Sequence, residues 1–134
     1  MLKYSYGRKY KILIIDDDAF ISQPVRSKVS KMGQEVDTAR SCSEALSKLK
    51  NGYSPNVVMI DVVLPDMNGL DFLNQIRTEK IAPEAIYMMV TNQNSDDETT
   101  RAKELGVAGY IIKANSTPSE VVAKVLDLAK THKK

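Results

Sequence analysis

Cysteine and histidine are almost missing from this chain of 134 residues, which has one of each, Cys42 and His132. A disulfide and a Cys/His zinc site are both excluded, and a reducing compartment, the cytoplasm, is the natural setting. Cys42 reads as a small apolar group near a helix start. The alternative, a reactive thiol, has no flanking basic group in the sequence. His132 falls in the terminal "THKK" and reads as solvated tail, with a phosphorylatable histidine as the remote alternative. No apolar run approaches the roughly 18 residues of a membrane span and no N-terminal stretch has the layout of a signal peptide, so no membrane partner is expected. Neither G-x-G-x-x-G nor G-x-x-x-x-G-K-[ST] occurs, which leaves dinucleotide and P-loop binding without support. No internal repeat, low-complexity block or linker is present.

What is there suffices for one folded domain. Hydrophobic residues make up 43% of the chain, enough for a core. The formal charge of +2 conceals an uneven distribution. Every one of the 17 acids lies between Ile12 and Ala129, whereas Lys3, Arg8, Lys9, Lys11, Lys130, Lys133 and Lys134 lie outside that span, leaving the body with 12 bases and a net charge of −5. A nucleic-acid binder concentrates positive charge on a folded face, so direct nucleic-acid contact is not expected. The layout predicts an N-terminal extension over 1–10, one domain over 11–131 and a tail over 132–134.

Five strand-length apolar runs recur: "KILII" (11–15), the weaker "EVDTA" (35–39), "NVVMI" (56–60), "IYMMV" (86–90) and "GYIIK" (109–113). Most are continuous rather than alternating, as in parallel strands covered on both faces. The stretches between them read as helices. From Asp18 to Met32 the apolar residues Ile21, Val25, Val29 and Met32 share one face, Gly33 stops the helix, and Pro24 should kink it or weaken its first turns. "SCSEALSKLKNG" opens with a capping box, Ser41 with Glu44. "NGLDFLNQIRTEK" sets Leu70, Leu73 and Ile76 on one side. "SDDETTRAKELG" matches the helix dipole but has a thin apolar face, Ala102 and Leu105, and should be the loosest helix. "TPSEVVAKVLDLAKTHKK" starts at Thr117 and Pro118 and buries Val121, Val122, Val125, Leu128 and Ala129. The βαβαβαβαβα order implies an α/β fold, a parallel sheet with helices on both faces, whose ligand site lies at the carboxyl ends of the strands.

At those ends stand Asp16, Asp17 and Asp18 (strand 1), Asp61 (strand 3), Thr91 (strand 4) and Lys113 (strand 5). Each alone is an ordinary cap or solvated turn; together they converge on one rim. Asp16, Asp17 and Asp61 with Lys113 sum to −2, a charge that a hard divalent cation balances. Mg²⁺ suits it best, since that ion takes one or two carboxylates, keeps several waters and accepts a phosphate oxygen.

The motifs "ILIIDDD", "MIDVVLPDMNGLDFL", "MMVTN" and "AGYIIKA", in this order and spacing, resemble the CheY-like receiver domain of two-component response regulators over about residues 10 to 131. The resemblance implies a flavodoxin-like doubly wound (βα)5 sandwich with strand order 2-1-3-4-5. It implies that Asp61 accepts a phosphoryl group from a phosphohistidine on a sensor histidine kinase or histidine phosphotransfer protein. Asp17 directly, Asp16 largely through water, Asp61 and the Val63 carbonyl would hold Mg²⁺. Thr91 and Lys113 would engage the phosphoryl group, and Thr91 with Tyr110 would switch the helix 4–strand 5–helix 5 face toward a downstream effector. Such a domain is a signalling module, not an enzyme.

The sequence departs from the family at several points. Lys113 is followed by Ala114 where the family usually has a cis proline; a non-proline cis bond costs about 2.5–4 kcal/mol, so either the bond is trans and the "KANSTPS" loop is reshaped, which the cost favours, or the strain is retained to aim Lys113. Asn92 replaces a small residue beside the site. Val63 and Gln93 occupy positions that tune phosphoryl lifetime in this family, and slow self-dephosphorylation is predicted. Two other readings compete. Asp16-Asp17-Asp18 contains the D-x-D of haloacid-dehalogenase-type phosphatases, without their following threonine or room for a cap. A receiver fold that only docks partners is the second. Within the acidic run, Asp18 reads as a helix cap and not as part of the metal site. No output domain lies in these residues, so a stand-alone regulator and one domain of a longer protein are both expected possibilities.

Overall fold

Each apolar run becomes a strand and each amphipathic stretch a helix. In the computed structural model, which describes residues 9–92 and 95–131 without the side chains of residues 19–21, β1 (Lys11–Ile15), β2 (Glu35–Ala39), β3 (Val57–Asp61), β4 (Ile86–Thr91) and β5 (Gly109–Ile112) alternate with α1 (Ala19–Lys31), α2 (Cys42–Lys50), α3 (Gly69–Thr78), α4 (Asp96–Glu104) and α5 (Pro118–Thr131). The strands form one all-parallel sheet in the order β2-β1-β3-β4-β5, as expected. Ile21, Gln93, His132, residues 1–8 and the 132–134 tail, all named above from the sequence, lie outside the described residues or side chains.

The continuous apolar runs explain the layers. Because successive strand side chains point to opposite faces, Leu13, Ile15, Val58, Ile60, Tyr87 and Met89 pack under α2, α3 and α4. Ile12, Ile14, Val57, Met59, Met88 and Val90 pack under α1 and α5. Each buried aliphatic side chain contributes about 1.5–3 kcal/mol, which makes the sheet a rigid base for residues at its rim.

The helices differ in how they attach. α5 buries Val121, Val122, Val125, Leu126, Leu128 and Ala129, whereas α4 buries Ala102 alone and Leu105 is only half-buried. Polar contacts to α3 hold α4 instead. Arg101 pairs with Asp71 at 2.5 Å, and Arg77 donates to the carbonyls of Leu105 (3.0 Å) and Gly106 (3.1 Å) while its guanidinium lies 4.7 Å from the centre of the Tyr87 ring.

Three local expectations need correction or refinement. Met32 does not join the buried stripe of α1; it is 38% exposed. The helix ends at Lys31, Gly33 takes φ 81°, and Gly33 and Gln34 donate to the Ser30 and Val29 carbonyls. That reversal turns Met32 off the helical spacing. α1 runs unbroken through Pro24. β5 stops at Ile112, so Lys113 opens a short 3-10 turn, Lys113–Asn115, and the Lys113–Ala114 peptide is trans.

Candidate phosphoryl-acceptor site

The sheet delivers the predicted residues to one rim. Parallel register sets Ile15 beside Ile60, Asp61 beside Val90 and Thr91 beside Ile112. Asp16 and Asp61 therefore stand at the ends of neighbouring strands, and Lys113 leaves β5 at the same rim, one strand beyond β4. Asp16, Asp61, Thr91 and Lys113 are all buried, while Asp17 and Asp18 are exposed. Buried charges must be paired or coordinated, and these are. The Lys113 Nζ lies 2.9 Å from Asp16 Oδ2 and 2.9 Å from Asp61 Oδ2. The other oxygens take backbone donors: Asp18 N–H on Asp16 Oδ1 (2.8 Å) and Val63 N–H on Asp61 Oδ1 (3.2 Å).

Electrostatics show what the cluster still lacks. Burial pushes the Asp16 carboxyl up to about 6, with the Asp61 charge adding to the effect against the opposing Asp18 N–H and Lys113. Burial alone would lower the Lys113 ammonium, but its hydrogen bonds and charge contacts with Asp16 and Asp61 outweigh this and raise it. One ammonium thus serves two buried carboxylates and leaves one of them inclined to take a proton. Oxygens of Asp16, Asp17 and Asp61 all come within 4.8 Å of one another. An all-oxygen donor set with net negative charge fits a hard divalent cation.

Glycine at position 69 is a geometric necessity. A Cβ there would stand 2.1 Å from the Asp61 carbonyl oxygen and 2.9 Å from the Ile60 side chain. The Gly69 N–H instead donates to the Val62 carbonyl at 2.7 Å. α3 therefore starts against the backbone of the strand that carries Asp61, with Asn68 capping it through the Leu70 N–H.

A family model for the response regulator receiver domain matches residues 12–126. The chain belongs to that family. A probable transcriptional regulator, ycf27, of Porphyridium aerugineum is 35% identical over 118 residues, which are 88% of this chain and 47% of that protein. The chemotaxis protein CheY1 of Helicobacter pylori is 31% identical over 104 residues, 77% of this chain and 84% of that one. A CheY-like receiver domain from Methanospirillum hungatei JF-1 superposes with a TM-score of 0.82 at 27% identity, covering 92% of this chain and 96% of that one. This receiver domain spans less than half the length of the transcriptional regulators and methylesterases it matches.

The receiver's remaining candidates divide clearly. Tyr110 is half-buried beside the α2–α4 core layer, and its hydroxyl is buried with no partner among the described residues; such an unmet donor costs about 1–3 kcal/mol. Val63 is 67% exposed at the rim, and Asn92 is exposed beside Thr91. Asp18 occupies the N-cap position of α1, its carbonyl accepting the Ser22 N–H at 3.1 Å. Cys42 is buried, and burial first, then the Asp66 charge, pushes its thiol up to about 12, which favours the apolar reading over the reactive thiol, since only a thiolate is nucleophilic. Two residues with clear tasks have no signal in the sequence. Asp66 caps α2 from the β3–α3 loop, and Arg77 caps the end of α4. Their partners lie 23 to 29 residues away, where no local pattern reveals them.

Proposed function

We propose that this receiver accepts a phosphoryl group on Asp61 from the phosphohistidine of a sensor histidine kinase or phosphotransfer protein, and that residues 11–131 make up the working domain. The observation that carries the reading is the buried Asp61 carboxylate held by Lys113 at 2.9 Å beside a second acidic pair. An Asp61 oxygen attacks phosphorus, a P–O bond forms as the P–N bond breaks, and the imidazole leaves. Lys113 neutralises charge that builds on the transferring group, so the site works through positioning and electrostatics. Asp16, Asp17, Asp61 and the Val63 carbonyl would hold Mg²⁺. When bound, that ion would offset the carboxylate charge and polarise the phosphoryl oxygens.

The aspartyl phosphate would draw in the Thr91 hydroxyl and the Lys113 ammonium. Space opened beneath Thr91 would admit Tyr110, whose unpartnered hydroxyl gives the side chain little to lose by moving. α4 would follow, because one buried alanine anchors it. The repacked α4–β5–α5 face would then recruit a downstream effector, with the domain catalysing only its own modification, in the cytoplasm. The test is intact mass after incubation with acetyl phosphate and Mg²⁺. A gain of one phosphoryl group, lost in Asp61→Asn and in chelator, is expected. No gain under any donor would contradict the reading and favour a domain that only docks partners.

A further inference from the structure

The β3–α3 loop, residues 62–68, carries Val63, whose N–H meets the Asp61 carboxylate. Packing fixes its inner side: the Val62 N–H donates to the Val90 carbonyl at 2.9 Å, and Leu64 is buried. Its outer side is held more lightly: Val63, Pro65, Asp66 and Asn68 are exposed, and Val63 pairs only within the loop, with Asn68 in an isolated antiparallel bridge. Among these exposed residues, Asp66 reaches across to another element. Asp66 Oδ1 accepts the Cys42 N–H and Oδ2 the Ser43 N–H, both at 3.0 Å. These are the first two amides of α2, which a helix leaves without internal partners. The third, Glu44 N–H, goes to Ser41 Oγ at 3.1 Å, and the Arg40 N–H goes to Glu44 Oε1 at 2.9 Å. The capping of α2 is thus shared between its own flank and the phosphoryl-site loop.

The geometry makes this more than a cap. Two donors on two oxygens fix the carboxylate in rotation as well as position. The donors belong to a helix seated by buried Cys42, Ala45 and Leu49, so the loop is the movable partner and the helix the fixed one. The positive end of α2 favours the Asp66 charge, and the Cys42 N–H holds that carboxyl below the usual range.

We propose that Asp66 is a positioning residue for phosphoryl acceptance: by fastening the β3–α3 loop to the N-terminus of α2, it holds Val63 where its N–H orients the Asp61 carboxylate. The inference rests on the proposed phosphorylation of Asp61. Its test compares Asp66→Ala with Ser41→Ala, both of which uncap α2 while only the first frees the loop. With acetyl phosphate at saturating Mg²⁺, Asp66→Ala should label about tenfold more slowly than wild type, and Ser41→Ala within about twofold. Asp66→Asn, which keeps one acceptor oxygen, should recover to within about threefold. Without any donor or metal, amide exchange at Val63 should quicken in Asp66→Ala and not in Ser41→Ala. Equal labelling of the two alanine variants overturns the proposal, as does unchanged Val63 exchange in Asp66→Ala. If wild type itself takes no phosphoryl group, the functional reading fails separately, and Val63 exchange alone decides whether Asp66 fastens the loop.

Discussion

Two groups of paired charged residues behave differently. At the carboxyl rim, Lys113, Asp16 and Asp61 are buried and their contacts are 2.9 Å long. At the seam between α3 and α4, Asp71 and Arg101 pair at a similar distance, but their side chains stay 52% and 42% exposed. Water screens the seam, so its ion pair contributes little and can be given up cheaply. The rim cannot lose a partner without leaving a buried charge. The proposed switch would thus couple a site that must respond to any change in charge to a helix, α4, that is inexpensive to move.

The largest effect that tests this contrast is expected from Lys113→Ala. It strands two buried carboxylates and should cost about 3–5 kcal/mol at pH 7, measured by denaturant unfolding. The cost should shrink as the pH falls below 6, where Asp16 takes up a proton. A loss under about 1 kcal/mol would place the rim in the same class as the seam.

The pH dependence of the rim comes next. The Asp16 carboxyl is raised from 3.8 to about 6 in the folded protein. The folded state therefore holds this proton more tightly than the unfolded state, and stability from this group falls as pH rises through roughly 4 to 6. Metal-free Asp16→Asn lacks the titration. Its stability relative to wild type should improve by roughly 2–3 kcal/mol between pH 4 and pH 7, and a constant difference would contradict the assignment. Mg²⁺ should stabilise wild type above pH 6 and do so far less in the variant.

Within the acidic run, Asp18→Ala should cost about 1 kcal/mol through the start of α1 and leave labelling of Asp61 intact. Asp17→Ala should keep or raise stability and abolish Mg²⁺-dependent labelling. At the seam, Arg77→Ala removes two hydrogen bonds and the Tyr87 contact and should cost about 1–2 kcal/mol. Arg101→Ala should cost less than about 1 kcal/mol. Both should speed amide exchange in α4 and leave α5 unchanged; equal acceleration of the two helices would remove the distinction between them.

How much of this was legible in sequence depends on distance along the chain. Asp16, Asp17, Asp61, Thr91 and Lys113 each end an apolar run, so the parallel order alone brings them to one rim. The thin face of α4 was countable from Ala102 and Leu105. Met32 misled because helical spacing in the sequence reaches one residue beyond Lys31, where the helix ends as the chain turns into the Gly33 reversal. Lys113 was expected inside β5, but the strand ends one residue earlier. Asp66 and Arg77 were not legible: each bonds to backbone groups of an element distant in the chain, and a backbone group carries no residue-type signature. The burial that separates Asp16 from its neighbour Asp17 was likewise hidden within three identical letters.

The most direct test of the account is a pair of ¹H–¹⁵N spectra of the Mg²⁺-loaded protein, before and after acetyl phosphate. Phosphorylation should move resonances at Asp61 and Lys113, and then those of α4, β5 and Tyr110, while α2 and the far end of α5 stay in place. Asp61→Asn should show none of these shifts. Shifts confined to the rim, or spread evenly over all five helices, would contradict a buried charged site that drives one loosely held helix.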